Sequence, residues 1–210
     1  MQAGSWKSGL FIMMDWIMRL TYLNLLWILF ILCGGIVLGI WPATIAMYAV
    51  TRKWIRQHTD IPVFRTFWTT YKKSWVQSNV LGSILTGTGI LLYLDIRYVM
   101  NLEAAFSEPL YIVLVLAFIV WGLLCLYFPP VFVHYDLNML QYFQQTLWIT
   151  ILHPFRSVFI LILFIIHWNF ILKFPALILF FSGSAIAFAI TWISYQAFNK
   201  VKKKAAAETG

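Results

Sequence analysis

Few side chains in this sequence of 210 residues have the type and spacing that chemistry needs. His134 and Asp136 are the best candidates, because an imidazole close to a carboxylate can move a proton or help to bind a metal ion. A structural or catalytic zinc site needs three or four such ligands, and the neighbouring sequence supplies no third. We therefore predict no catalytic residue, no metal site and no cofactor.

The motifs of several enzyme classes are also missing from the sequence. It contains no GxxxxGKS or GxxxxGKT phosphate-binding loop, no HExxH zinc motif and no GxSxG nucleophile elbow. No acidic residue lies in the middle of an apolar segment, as a proton relay would require. We therefore predict that the chain is not an enzyme.

The elements that carry these residues are apolar helices. Hydrophobic residues make up 62% of the chain and charged residues 10%, whereas about a quarter of a soluble domain is charged. The segments lack period-2 alternation, so they are predicted to be helices and not barrel strands. We predict an all-α integral membrane protein, with residues 1–210 as a single membrane domain. Five segments approach the ~20 residues that a spanning helix needs, at about 21–41, 80–98, 110–131, 156–172 and 175–198.

Lysine and arginine are concentrated on one side of these segments. Loop 51–79 carries six of them, Arg156 lies in the loop 132–156, and the tail 199–210 carries four lysines. Because such residues stay in the cytoplasm, we predict a bacterial cytoplasmic membrane with the N-terminus outside and the C-terminus inside. We therefore expect the net charge of +8 to interact with anionic lipids of the bilayer, and we predict no nucleic-acid partner. Four basic residues remain for the other face, namely Lys7, Arg19, Arg97 and Lys173.

Two interfacial helices complete the predicted architecture. The first covers residues 6–19, where Asp15 and Arg19 can pair across one helical turn. The second follows Pro42, which ends or kinks the first span, and emerges at the cytoplasmic surface over residues 43–56.

An aromatic and basic stripe is predicted on the helix that follows. Asp60 suits its N-cap and Pro62 its first turn. The stripe could be an interfacial aromatic belt with snorkelling cations, or a docking surface for a protein partner. As a candidate partner interface it comprises Arg52, Arg56, Phe64, Phe67, Trp68, Tyr71 and Trp75.

Small and polar residues within the spans predict how the helices pack. Small residues four positions apart let two helices approach closely, and they form the pairs Gly35 and Gly39, Ser83 and Gly87, and Gly183 and Ala187. These faces could pack within the chain or against another subunit. Three asparagines are expected to bridge helices or cap them, namely Asn24, Asn79 and Asn169. Two cysteines within spans are expected to be buried thiols, namely Cys33 and Cys125.

Five stretches of the first 82 residues form a recognisable set, namely YLNLLW at 22–27, GIWPAT at 39–44, RKW at 52–54, DIPVFRTFW at 60–68 and NVLG at 79–82. Together they resemble the YesL family of small bacterial membrane proteins. Members are often encoded beside carbohydrate ABC importers and glycan-degrading enzymes, so the resemblance implies a role in oligosaccharide uptake. The resemblance implies no catalytic residues.

Three classes of function follow from the sequence. The first is a non-enzymatic accessory subunit that contacts the permease subunits of a carbohydrate ABC importer. The second is an autonomous small transporter or channel for a solute. The third is a membrane enzyme acting on lipid or glycan, which the scarcity of ionisable residues within the spans disfavours.

Overall fold

The computed structural model of the chain is helical, with no strand in the part that it describes, which comprises residues 3–56, 58–102 and 107–208. Side chains are described for residues 9–56, 58–102 and 107–196. This confirms the predicted all-α class. The helices are α1 (Ala3–Cys33), α2 (Val37–Ile55), α3 (Val63–Val99), α4 (Ser107–His134), α5 (Met139–Leu152), α6 (Pro154–Lys173), α7 (Ala176–Phe181) and α8 (Ser184–Glu208).

Four helices among the described residues are long and apolar enough to cross a membrane. Three of them contain the predicted segments 80–98, 110–131 and 156–172. These apolar helices indicate a multi-pass membrane protein. Segments 21–41 and 175–198 are each divided between two helices. These four candidate spans are Gly9–Cys33, Val63–Val99, Ser107–His134 and Pro154–Lys173.

Helices α1 and α2 form an antiparallel hairpin, where the sequence predicted one span over 21–41. Trp27 Nε1 donates to Thr44 Oγ1 across the pair at 3.1 Å. Nearer the other end, the rings of Trp16 and Trp54 meet edge to face at 5.9 Å. The prediction of a continuous first span was therefore wrong, because the chain reverses direction inside it.

Three residues without polar side chains close the hairpin. Gly35 and Ile36 have φ of 73° and 62°, a left-handed conformation that glycine adopts readily and isoleucine does not. Gly34 packs directly against Gly39. Gly35 was predicted to share a packing face with Gly39, but it is an exposed turn residue, whereas Gly39 packs against Ile31 of α1.

Helix α1 is continuous from Ala3, so a separate interfacial helix over 6–19 is not present. The predicted pair on it does form, since Arg19 Nε lies 2.7 Å from Asp15 Oδ2. Cys33 was expected to be a buried thiol, but it is exposed at the end of α1 beside the turn, and Cys125 is half-buried.

Helix α2 is the centre of the bundle and packs against α1, α3, α4 and α8. Ala43 and Ile45 are fully buried. The sequence predicted that residues 43–56, after Pro42, form an interfacial helix at the cytoplasmic surface. The structure does not confirm this, because neighbouring helices cover most of α2 and even polar side chains of it are buried. Thr51 Oγ1, for example, lies 3.1 Å from Thr191 Oγ1 of α8.

Two tryptophan rings, one from α2 and one from α4, pack against glycines of α3 and bring the three helices together. Trp41 of α2 covers Gly82 of α3, and Trp121 of α4 covers Gly89, so that a Cβ at either glycine would overlap a ring. Trp121 Nε1 also donates to the carbonyl oxygen of Leu85 at 2.9 Å. Glycine is therefore required at both positions for these helices to approach.

Of the two predicted packing faces on α3 and α8, the structure buries only the one on α8 among the described residues. Ser83 is exposed, and nothing lies within 4 Å of a Cβ built on Gly87, so no described helix of this chain packs on this pair, and its contact with another subunit stays a prediction. Gly183 and Ala187 are buried within the chain, and a Cβ at Gly183 would lie 3.1 Å from the Trp27 ring.

The segment predicted as a span over 175–198 is broken between α7 and α8. Asn24 of α1, which is fully buried, joins the two parts. Its Oδ1 accepts from the backbone nitrogens of Gly183 at 2.8 Å and Ser184 at 3.1 Å, and its Nδ2 donates to the carbonyl oxygen of Leu179 at 2.8 Å. One amide thus satisfies backbone groups on both sides of the break.

Asn24 differs in this from the other asparagines that were expected to bridge helices. Asn79 Nδ2 donates to the carbonyl oxygen of Trp75, and Asn169 Nδ2 donates to that of Ile165, each at 2.8 Å. Both acceptors lie one turn back in the same helix. Among these three residues, the structure therefore assigns the bridging role to Asn24.

Candidate functional site

A basic cavity opens between α2, α3, the end of α4 and the start of α5. Its volume is about 430 Å³, which lies within the range of small-molecule pockets. Its charged side chains are Arg52, Lys53, Lys73 and Asp136, and His134 lies beside them. We call this space the basic cavity.

Helical spacing brings the contribution of α3 onto one face. Thr69, Lys73 and Gln77 follow one another at intervals of four residues, so their side chains stack on the same side of α3 and line the cavity. Lys72 points elsewhere, and its Nζ lies 4.2 Å from the centre of the Trp68 ring. Two adjacent lysines therefore serve different surfaces.

Arg52 is half-buried in the last turn of α2, outside the four apolar spanning helices. Its Nη2 donates to the carbonyl oxygen of His134 at 3.5 Å, whereas its Nε is buried and makes no hydrogen bond. Burial, and then the charge of Arg56, lower the pKa of Arg52. An anion placed beside Arg52 would offset both effects.

Lys53 lies next to Arg52 and has a neutral partner. Its Nζ donates to Thr66 Oγ1 at 3.3 Å. Both residues also line a second cavity of about 560 Å³, where the loop after α2 contributes Arg56 and His58. The two cations therefore lie between two open spaces.

Acidic side chains leave most of this positive charge uncompensated. Among the described residues, ion pairs within 4 Å join Arg19 to Asp15 and, at 3.8 Å, to Asp60. Asp136 is the one carboxylate among the described residues that line the basic cavity, and it is exposed. The cavity therefore holds more positive than negative charge.

Arg19 lies against the loop between α2 and α3, although the sequence placed it on the opposite face. Its Nη1 donates to the carbonyl oxygen of Thr59 at 2.6 Å, and its Nη2 reaches Asp60. Asp60 was expected to cap α3, but α3 begins after Pro62 without a side-chain cap. The hairpin explains why the predicted side of Arg19 was wrong. Because α2 runs back along α1, the loop after α2 lies beside Arg19.

Burial divides the predicted partner interface. Phe67 and Tyr71 are buried against Phe30 of α1, and Tyr71 Oη donates to the carbonyl oxygen of Phe30 at 3.1 Å. Phe64 and Trp68 lie beside them, with exposed fractions of 51% and 37%. Phe67 and Tyr71 are thus unavailable to a partner. We call Phe64 and Trp68 the aromatic edge.

The three remaining residues of the predicted interface do not belong to the aromatic edge. Trp75 is half-buried and packs edge to face on Tyr71 at 5.1 Å. Arg56 is exposed, and its guanidinium lies 5.8 Å from the centre of the Tyr195 ring of α8. Arg52 belongs to the basic cavity.

His134 and Asp136 both line the basic cavity. The His134 ring packs on Tyr135 at 4.7 Å and on Tyr195 at 6.3 Å. In the described part of the chain, no three His, Cys, Asp or Glu side chains are close enough to hold a metal ion. Burial raises the pKa of Tyr135, which a hydrogen bond to Gln145 partly offsets. The cavity offers positive charge and hydrogen-bond donors.

Sequence reasoning did not select Lys73, Gln77 or Tyr135 as site residues. Lys73 and Gln77 could have been found, because they follow Thr69 at intervals of four residues and therefore lie on one face of a helix. Nothing local indicated that the loop after α4 would bring Tyr135 to the same cavity. That juxtaposition depends on the hairpin, which places the end of α2 beside the end of α4.

Comparison with known proteins decides the family. The "Uncharacterized protein YesL" of Bacillus subtilis (strain 168) is 35% identical over 205 residues, which cover 94% of this chain and 93% of that protein. The chain belongs to the YesL family. The "Uncharacterized protein YteU" of the same organism is 32% identical over 189 residues, covering 90% of this chain and 85% of the relative. No solved structure matches.

A family model described as "Protein of unknown function, DUF624" matches residues 20–96. The match begins within α1 and ends within α3, so it contains the hairpin, the aromatic edge and the cations of the basic cavity. The wall that α4 and α5 provide lies outside it. The YesL-family relatives, in contrast, cover nearly the whole chain and therefore include this wall.

Proposed function

We propose that this YesL-family protein is a non-enzymatic accessory subunit that binds the permease subunits of a carbohydrate ABC importer. The observation that carries the proposal is the aromatic edge. Exposed aromatic residues next to basic ones are typical anchors of protein interfaces. Phe64 and Trp68 are exposed, whereas Phe67 and Tyr71 between and beside them are held in the core, so the edge is rigidly supported. The carbohydrate importer as partner comes from the family resemblance.

The proposed orientation places the basic end of the bundle in the cytoplasm, where lysine and arginine accumulate. The hairpin brings Arg19 to this end, and α8 runs toward it, since Tyr195 lies beside Arg56 and His134. In this proposed orientation α1 begins and α8 ends on the cytoplasmic side, whereas the sequence predicted the N-terminus outside. We propose that the aromatic edge, in the first turns of α3, meets the coupling regions of a permease there.

An autonomous transporter is less well supported. A solute pathway would have to continue from the basic cavity through the bundle. Ile45 of α2 forms part of the cavity wall, and Leu81 of α3, one turn beyond the lining residue Gln77, is fully buried in side-chain packing. The cavity is better suited to bind a molecule at one end of the bundle.

Affinity capture from native membranes tests the proposed function. The tagged double variant Phe64→Ala, Trp68→Ala should recover the permease at least about tenfold less efficiently than the wild type, since such anchors carry much of the binding energy. Trp168→Ala, which removes an equally large exposed ring from α6, is the matched control and should capture normally. Failure of the wild-type protein to retain any permease subunit in mild detergent would overturn the proposal.

A further inference from the structure

The basic cavity has a charge distribution that the proposed accessory role does not use. Arg52, Lys53 and Lys73 contribute three positive charges to its wall, and Asp136 contributes one negative charge. None of the three cations has a carboxylate within 4 Å among the described residues. Like charges gathered in one concave wall repel one another and attract a counter-ion of opposite sign.

The type of cation indicates the type of anion. The guanidinium of Arg52 is planar and can donate two parallel hydrogen bonds to one oxyanion, and its buried Nε has no hydrogen bond in the protein. Lys73 is exposed at its end and acts as a flexible point charge. Three cations around one cavity fit an anion with several charged oxygens better than a single carboxylate.

We propose that the basic cavity binds a phosphate group, with Arg52 as the bidentate anchor and Lys73 and Lys53 as the neutralising charges. The phosphate has two possible sources that share this chemistry. One is the headgroup of an anionic phospholipid in the adjoining leaflet, and the other is a soluble phosphate compound. The volume of about 430 Å³ leaves room for a phosphate and the group that carries it.

Full-length protein in nanodiscs provides the test, with the thermal unfolding midpoint as the readout. One arm uses phosphatidylcholine discs and titrates inorganic phosphate, with sodium acetate at equal ionic strength as the reference. The other arm compares discs containing phosphatidylglycerol with discs containing oleate, an anionic lipid without phosphate. Ligands that bind the folded state raise the midpoint in a saturable manner.

Wild-type protein should be stabilised by inorganic phosphate, by phosphatidylglycerol, or by both, but not by acetate or oleate. A response to inorganic phosphate identifies a soluble compound, and a response to phosphatidylglycerol alone identifies a lipid headgroup. Arg52→Gln and Lys73→Gln should each need about tenfold more ligand, as expected for loss of one charge-assisted contact. Lys73 is exposed, so its replacement leaves the fold intact even if Arg52→Gln does not.

Two matched variants separate a specific site from general surface charge. Lys72→Gln removes a charge next to Lys73 that faces Trp68, and Arg97→Gln removes one at the far end of α3. Both should bind phosphate as the wild type does. The proposal is overturned if neither phosphate source stabilises the wild-type protein, or if Lys72→Gln weakens binding as much as Lys73→Gln.

Discussion

Asn24 of α1 pairs with backbone groups on both sides of the α7–α8 break. It accepts from two backbone nitrogens of the break and donates to carbonyl oxygens of α7. Backbone groups inside a membrane protein have no water to pair with, so a helix break there needs such a partner. His167 of α6 adds a second contact, with its Nε2 3.0 Å from the carbonyl oxygen of Ser182.

Replacement of Asn24 should therefore be costly. Asn24→Leu leaves the nitrogens of Gly183 and Ser184 buried without a partner, and we expect the free energy of unfolding to fall by about 2–4 kcal/mol. Asn169→Leu is the control, because Asn169 is exposed and bonds only within its own helix. Unfolding curves in detergent measure both variants. Equal stability of the two would show that the cap does not hold the break.

Sequence reasoning treated Asn24, Asn79 and Asn169 alike, and it could not have ranked them. An asparagine in a helix can always donate to the carbonyl oxygen one turn back, as Asn79 and Asn169 do. The partner that distinguishes Asn24 lies about 160 positions away, at Gly183 and Ser184. Only the tertiary fold brings them together.

At the scale of the helices, register determines which small residues matter. Gly82 and Gly89 receive tryptophan rings, whereas Ser83 and Gly87 point away from the contact. A motif of small residues four apart identifies a helix that can pack closely, but it does not identify the facing side chain. The predicted pair on α3 therefore lies one and two positions from the glycines that receive the rings.

Two glycines on α3 provide a matched comparison. Gly82→Ala places a methyl group against the Trp41 ring and should lower the free energy of unfolding by about 1–3 kcal/mol. Gly87→Ala meets nothing within 4 Å and should raise it by up to about 1 kcal/mol, because alanine favours a helix. Thermal unfolding in one detergent compares the two. Destabilisation of the same size at both positions would contradict the observed register.

At the scale of the whole molecule, the hairpin determines which segments lie at the same end of the bundle. It brings Arg19 of α1 beside the loop that follows α2. Segments 80–98, 110–131 and 156–172 were predictable, because each is a long apolar run with few charged residues, and those lie near its ends. The reversal between Cys33 and Val37 was not, because the turn is as apolar as the helices that it joins. Hydropathy cannot separate two apolar helices when no polar residue lies between them.

Cysteine labelling distinguishes the hairpin from a continuous first span. In a background with Cys33→Ser and Cys125→Ser, single cysteines at Asp15, Arg56 and Arg97 are tested with a membrane-impermeant maleimide. The hairpin predicts that positions 15 and 56 react from the same side and position 97 from the other, since Arg19 contacts Thr59. Labelling of positions 15 and 97 together, opposite to 56, would support the continuous span instead.

The central place of α2 also has a consequence for biosynthesis. Its residues leave the ribosome early, but the partners that cover its polar side chains are made late. Lys53 meets Thr66 soon afterwards, whereas Thr51 meets Thr191 only when nearly the whole chain has been translated. Until α8 is made, α2 therefore lacks one of the helices that enclose it, and a ribosome stalled before residue 191 would carry a chain whose innermost helix is still incompletely enclosed.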